Sequence, residues 1–73
     1  SMMDYPLYAT EAYKKFVDDL VLARKSEGLT IEDLDMPKHL ARGIEEHTNY
    51  DIRDILWYAD CLGLDMSLDK SLW

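Results

Sequence analysis

The sequence predicts an all-α protein, a single compact domain of four to five helices. Apolar residues recur at helical spacing through most of the 73-residue chain, glycines stand where helices would end, and no convincing strand pattern is present. Apolar residues make up 48% of the chain, enough for one small core with little stability to spare. No low-complexity tract interrupts the 32% of charged residues, so we expect the chain to fold.

Three segments are predicted along the chain. Residues 1–9 comprise Ser1-Met2, interpreted as a scar of tag removal, and an extended lead-in in which Pro6 disfavours helix at Tyr5. Residues 10–68 form the helical domain. Residues 69–73 are a C-terminal tail, and one further turn is predicted around residues 67–71.

The first helix is predicted to follow an N-cap at Thr10 and to run to about Ser26. Gly28 stands where a left-handed C-cap belongs, and Leu29 follows as its hydrophobic contact. The residues at inward spacing are Ala12, Tyr13, Phe16, Val17, Leu20, Ala23 and Arg24.

A short second helix is predicted to begin at Thr30, which forms a near capping box with Asp33. Pro37 interrupts this helix, because proline has no backbone N–H and disfavours helix at the preceding residue. The same proline suits the first turn of a third helix, capped by Asp35 and extending to about His47. The inward residues of this third helix are Leu40, Ala41 and Ile44.

The fourth helix is predicted after the loop of residues 48–50. Asp51 and Asp54 lie near its positive end, and Gly63 ends it. One apolar stripe is predicted along it, formed by Ile52, Ile55, Leu56, Ala59 and Leu62.

The charge balance argues against strong DNA binding. Fifteen acidic residues against eight lysines and arginines give a net charge of −7, and sequence-independent DNA affinity comes from cations that neutralise phosphates. No apolar run approaches the ~18 residues that span a bilayer, and no signal peptide begins the chain, so we expect a cytoplasmic protein without membrane contact.

Nothing in the sequence predicts an enzyme, a cofactor, a metal site or a small-molecule substrate. Cys61 is the single cysteine, which excludes an internal disulfide and predicts a buried structural thiol. His39 and His47 are too far apart for two ligands on one short helix, so structural roles are expected. Three glycines form no phosphate-binding loop, and so small a domain has little room for a catalytic pocket.

Residues 16 to 68 resemble the helix-turn-helix domain of the Xre and Cro family of repressors. The junction Gly28-Leu29-Thr30 and the pair Leu62-Gly63 match in order, as do Leu34, Ile44, Glu45, Ile52, Leu56 and Ala59. The resemblance implies a lambda-repressor-like domain, a transcriptional regulator that binds double-stranded DNA as a homodimer and comes from a phage or mobile element. It places Lys38, His39 and Arg42 at positions whose side chains contact bases and phosphates in the family. It also places Glu45 at a position where the family has an acidic residue that supports the fold.

The chain departs from the family pattern within residues 34–37, where it is about four residues shorter. In such domains the second helix crosses the phosphate backbone and positions the recognition helix. A second function therefore stays open, an acidic protein-interaction module (an inhibitor, an antitoxin-like protein or a DNA mimic) that has lost DNA binding. Lys38 and Arg42 favour DNA, although they also fit a solvated face with local ion pairs. The short second helix and the Glu45-Glu46 pair favour a protein partner.

Trp57, Tyr58 and Trp73 are candidate interface residues. Trp57 falls one position past the predicted apolar stripe, and tryptophan is over-represented among interface hot spots. Alternatively, Trp73 and the tail cover Trp57, and Tyr58 lies in the core. The N-terminal aromatic cluster is predicted to staple the lead-in against the first helix or to form a partner patch; its members are Tyr5, Tyr8, Tyr13 and Phe16.

Overall fold

The computed structural model describes residues 5–67, which form three α-helices and one 3₁₀ turn with no β-strand among them. The elements are α1 (Leu7–Ser26), the 3₁₀ turn (Ile31–Asp33), α2 (Lys38–Glu45) and α3 (Ile52–Cys61). α2 packs against α1, the 3₁₀ turn and α3, so it lies at the centre of the domain. The all-α prediction is confirmed, but the predicted four to five helices are not. The predicted tail of residues 69–73 lies outside the described part of the chain.

α1 begins earlier than the predicted N-cap at Thr10. Pro6 occupies the N-cap position with φ −54°, and its carbonyl accepts a hydrogen bond from the N–H of Thr10 at 3.1 Å. Because proline is compatible with a helix start and presets the backbone there, helix forms directly after it. The predicted extended lead-in therefore ends before Leu7.

The junction after α1 uses the predicted local signals. Gly28 adopts a left-handed φ of 72°, as a helix C-cap requires. The Thr30 N–H and hydroxyl both donate to Oδ2 of Asp33, at 2.8 and 3.1 Å, which lowers the pKa of that carboxyl. Leu34 then turns to an extended ψ of 135°, so only one 3₁₀ turn forms where a short second helix was predicted.

α2 has Pro37 at its N-cap position, where Asp35 was predicted, and it ends before His47. His47 adopts a left-handed φ of 62°, and the N–H groups of Thr48 and Asn49 both donate to the carbonyl of Gly43, at 2.8 and 2.9 Å. These bonds satisfy a carbonyl in the last turn of α2 and turn the chain toward α3.

α3 begins and ends at the predicted signals. Oδ1 of Asp51 accepts hydrogen bonds from the N–H groups of Arg53 and Asp54, at 2.8 and 3.4 Å, as an N-cap should. Gly63 follows the helix with a left-handed φ of 73°.

The core lies between the three helices, and the face that α3 contributes to it differs from the predicted stripe. Ile52 and Leu56 were predicted to point inward but are 61% and 43% exposed. Tyr58 is fully buried instead, so the buried face is rotated around the helix axis relative to the prediction. The buried apolar residues are Val17, Leu20, Leu34, Met36, Ala41, Ile44, Ile55, Tyr58, Ala59 and Leu62.

Candidate functional site

A buried polar network joins the three helices. Arg24 of α1 donates from Nε and Nη2 to the two carboxylate oxygens of Glu45 of α2, at 2.8 and 3.0 Å. Tyr58 of α3 donates its hydroxyl to Oε2 of the same carboxylate at 2.6 Å. Nη1 of Arg24 donates to the carbonyl of Leu29 at 2.6 Å, which fixes the chain just after α1. Glu45 therefore supports the fold, as the resemblance implied.

The network also sets the ionisation of its members. Hydrogen bonds to Glu45 raise the pKa of the Arg24 guanidinium further above its usual range. Burial, and then the bond to the Glu45 carboxylate, raise the pKa of the Tyr58 phenol well above its ordinary value of 10.0. Tyr58 has no exposed surface, so it lies in the core, the alternative that we gave for this candidate interface residue.

The predicted DNA-contacting residues all lie on α2, but two of them turn back onto the chain. Lys38 donates from Nζ to the carbonyl of Leu34. Nη2 of Arg42 lies 3.4 Å from Oε1 of Glu32 in the 3₁₀ turn. His39 is exposed. The two cations therefore contact residues 32 and 34, in the short segment before α2.

Two other exposed cations form ion pairs with nearby carboxylates. Nζ of Lys15 lies 2.7 Å from Oδ2 of Asp19, and Nη2 of Arg53 lies 3.2 Å from Oδ2 of Asp51. With a net charge of −7, the chain has more surface carboxylates than these cations can neutralise. The exposed acids of the described residues include Glu11, Glu27, Asp33, Asp35, Glu46, Asp60 and Asp65.

α3 and the segment after it carry exposed apolar side chains, a surface that we call the outer face of α3. Ile52, Leu56 and Trp57 lie on the helix itself, and Leu64 and Met66 follow it; all five are exposed. Ile52 and Leu56 are neighbours at i, i+4 spacing, and Trp57 is 42% exposed. The role of Trp57 at an interface stays a prediction, whereas Ile52 and Leu56 were not predicted as exposed, because periodicity assigned them to the core.

Cys61 lies at the C-terminal end of α3, one helical turn beyond Trp57. Burial raises the pKa of the Cys61 thiol, as expected for a structural cysteine. The thiol is only partly buried, however, where full burial was predicted.

An open groove of about 470 Å³ lies beside the outer face of α3. Leu56, Leu64 and Met66 supply its apolar surface, and Asp60 and Asp65 supply carboxylates. Gly63 and Ser67 complete the lining. The groove lies where the chain leaves α3 through the left-handed Gly63 and continues without regular structure to residue 67.

The N-terminal aromatic cluster does not form the predicted staple. Tyr5 and Tyr8 are exposed, whereas Tyr13 packs against the ring of Tyr50 at 5.6 Å between centroids and edge-on against His47 at 5.8 Å. Nε2 of His47 also lies 3.0 Å from Oδ1 of Asp18. His47 therefore has a structural role, joining the end of α2 to α1.

Within residues 5–67, no group of three or more His, Cys, Asp or Glu side chains is arranged to hold a metal ion. None of the helices described there is long and apolar enough to cross a membrane. Trp73, the remaining candidate interface residue, lies beyond the described residues, so its role stays a prediction. Comparison of the chain with models of protein families, with characterised proteins and with solved structures finds no match.

Proposed function

We propose that this protein is a small acidic interaction module that binds a protein partner through the outer face of α3. The observation that carries the proposal is the exposure of Ile52, Leu56 and Trp57 on one helix, away from the core. Exposed apolar side chains that cluster on a monomer surface mark interaction sites, and tryptophan is prominent among interface hot spots.

The contacts that Lys38 and Arg42 make, together with the net charge of the chain, support the same proposal. Binding to phosphates requires lysine and arginine side chains that are free to approach them. Lys38 contacts the carbonyl of Leu34 and Arg42 contacts Glu32, so both contacts would have to be exchanged for phosphate contacts. The remaining negative charge of the chain would oppose that exchange at long range.

A second candidate is a helix-turn-helix transcriptional regulator of the Xre and Cro type, with a lambda-repressor-like fold. The observation that favours it is the placement of Lys38, His39 and Arg42 within the first five residues of α2, with Lys38 and Arg42 one turn apart. In this candidate α2 would enter the major groove of double-stranded DNA. Trp57 would take part in a homodimer contact.

A peptide selection tests the interaction module. The immobilised protein is used to select binders from a displayed random-peptide library, and the selected peptides are then titrated against variants. We expect Leu56→Glu to weaken binding at least tenfold, because it places a charge in the apolar surface. Leu22→Glu is the matched control, since Leu22 is an exposed leucine on α1. Selected peptides that bind both variants equally well would contradict the proposal.

A DNA titration tests the second candidate. Fluorescent duplexes of random sequence are titrated with the protein at low salt, where phosphate contacts are strongest. The DNA-binding candidate predicts that Arg42→Ala weakens binding and that Glu32→Gln strengthens it, because the second change removes a negative charge that repels phosphates beside Arg42. The interaction module predicts no measurable binding for the wild type or for either variant.

A further inference from the structure

We infer that the groove beside α3 takes a basic amphipathic helix of a partner protein, with apolar side chains against Leu56, Leu64 and Met66 and lysines or arginines beside Asp60 and Asp65. This inference rests on the proposed function, since it names the partner of the same outer face. The groove is open to solvent, so a segment of a partner protein can enter it from outside.

The apolar lining matches what an amphipathic helix presents. Leu56, Leu64 and Met66 are all exposed and line the groove, Leu56 from α3 and the other two from the segment after Gly63. Helices that bind in grooves insert apolar side chains at spacings of i, i+3, i+4 and i+7. Met66 adds a flexible side chain that can adapt to the inserted residue.

The charges of the groove select a basic partner. Asp60 lies one turn beyond Leu56 on α3, and both Asp60 and Asp65 are exposed. Oδ1 of Asp65 accepts the N–H of Ser67 at 2.9 Å, and this bond lowers the pKa of the carboxyl and keeps it charged. None of the described residues that line the groove is cationic. Charge complementarity of this kind sets specificity and association rate more than affinity.

The same charges disfavour a second copy of this chain. A symmetric dimer through the groove would bring Asp60 and Asp65 close to the same residues of the partner copy, and each chain carries a net charge of −7. Like charges placed opposite each other suppress such pairing. A basic segment meets the apolar and the charge requirement together.

Two synthetic peptides provide the test. One is an amphipathic helix with leucines on one face and lysines on both flanks, and the other has glutamate in place of every lysine. Each is titrated into the full, isotope-labelled chain at low salt, followed by NMR. We expect the lysine peptide to bind at least tenfold more tightly than the glutamate peptide. The shifts should be concentrated in residues 56–67.

Variants assign the binding to the groove. Leu56→Glu should weaken binding of the lysine peptide at least tenfold. The double variant Asp60→Asn, Asp65→Asn should weaken it about three- to tenfold and reduce its salt dependence. The matched control Glu11→Gln, Glu46→Gln removes the same charge from exposed positions outside the groove lining, and it should change the affinity less than twofold.

Other outcomes overturn the inference in distinguishable ways. If both peptides bind equally well at residues 56–67, the outer face is an interaction surface but its partner is not selected by charge. If sedimentation shows a dimer that Leu56→Glu dissociates, the occupant is a second copy. If Leu68→Ser with Leu72→Ser strengthens peptide binding tenfold, the occupant is the chain's own C-terminal segment. If neither these peptides nor selected ones bind the outer face, the proposed function fails as well.

Discussion

The two carboxylate–arginine contacts of α2 differ in every property that determines their energy. Toward the C-terminal end, Glu45 meets Arg24 through two hydrogen bonds, and the side chains are only 14% and 10% exposed. Arg42 meets Glu32 through one contact of 3.4 Å, and those side chains are 51% and 65% exposed. The first contact is a fixed part of the fold, whereas the second can be exchanged for a contact with solvent or a ligand.

The difference follows from the surroundings rather than from the residue types. Arginine presents a planar fork that matches a carboxylate, and the bidentate bonds to Glu45 use that fork fully. Away from water the pair is strong, but either partner left alone would be a buried, uncompensated charge. Water and salt screen the pair between Arg42 and Glu32, which limits its energy.

Glu45→Gln should have the largest effect on stability. It leaves the Arg24 guanidinium buried without its counter-charge, and breaking a buried ion pair in this way costs about 3–5 kcal/mol. Small domains have a total stability of about 5–15 kcal/mol, so the variant should unfold at a much lower urea concentration, measured by circular dichroism. The neighbouring Glu46→Gln is the control, because Glu46 is exposed and should change stability by less than about 0.5 kcal/mol.

A second variant tests whether the stability lost in Glu45→Gln comes from the uncompensated charge of Arg24 or from altered packing. In the triple variant Arg24→Met, Glu45→Leu, Tyr58→Phe, both charges and the hydroxyl that donates to Glu45 are replaced by apolar groups, and such replacements are often neutral or stabilising. We therefore expect the triple variant to recover most of the stability that Glu45→Gln loses. A triple variant as unstable as Glu45→Gln would show that the destabilisation does not come from the uncompensated charge.

Tyr58→Phe should have a smaller effect, because Glu45 keeps both hydrogen bonds to Arg24 when the phenol is removed. The loss of one hydrogen bond to a buried carboxylate corresponds to about 1.5–3 kcal/mol. Urea unfolding at neutral pH measures it. Tyr50→Phe serves as the control at an exposed tyrosine, and an equal loss in both variants would contradict the role of the bond to Glu45.

Alkaline pH should weaken the wild type more steeply than Tyr58→Phe. The pKa of Tyr58 is raised in the folded protein, by burial and then by the Glu45 carboxylate, above the ordinary value of 10.0. The stability that the Tyr58 phenol contributes is complete below pH 10. It falls as the pH rises above that value, because the unfolded chain loses the phenol proton first. Above pH 10 the unfolding free energy of the wild type should therefore fall more steeply than that of Tyr58→Phe, and the difference between the two slopes should approach about 1.4 kcal/mol per pH unit. Parallel curves of unfolding free energy against pH for the two proteins would rule out this linkage.

The sequence predicted the parts of the fold that depend on neighbouring residues. Gly28, Gly63 and the pair of Thr30 with Asp33 act through backbone geometry or bonds within a few residues, so their types and positions were enough. The buried network joins residues 21 and 13 positions apart in the chain, and no local pattern specifies such pairings. Periodicity assigned Arg24 to the inward face but could not identify its partners.

The rotation of α3 has the same origin, and it is the reason that the candidate site was only partly predicted. A hydropathy pattern ranks Ile52 and Leu56 above a tyrosine for burial, because it cannot include the carboxylate that satisfies the Tyr58 hydroxyl. Because Tyr58 is buried, Ile52 and Leu56 are exposed instead. They join Trp57, the one residue of the outer face that the sequence predicted as an interface candidate.

Arg42→Ala should have the smallest effect on stability. A double-mutant cycle with Glu32→Ala, measured by urea unfolding, should give a coupling energy of about 0–0.5 kcal/mol that disappears at high salt. A coupling energy above about 1 kcal/mol would mean that the pair belongs to the fixed structure, like the pair at Glu45. The small value has a consequence for the DNA candidate, because an arginine held this weakly could turn to a phosphate at little cost. If DNA binding is absent, we infer that the net charge of −7 opposes it more than the contact between Arg42 and Glu32 does.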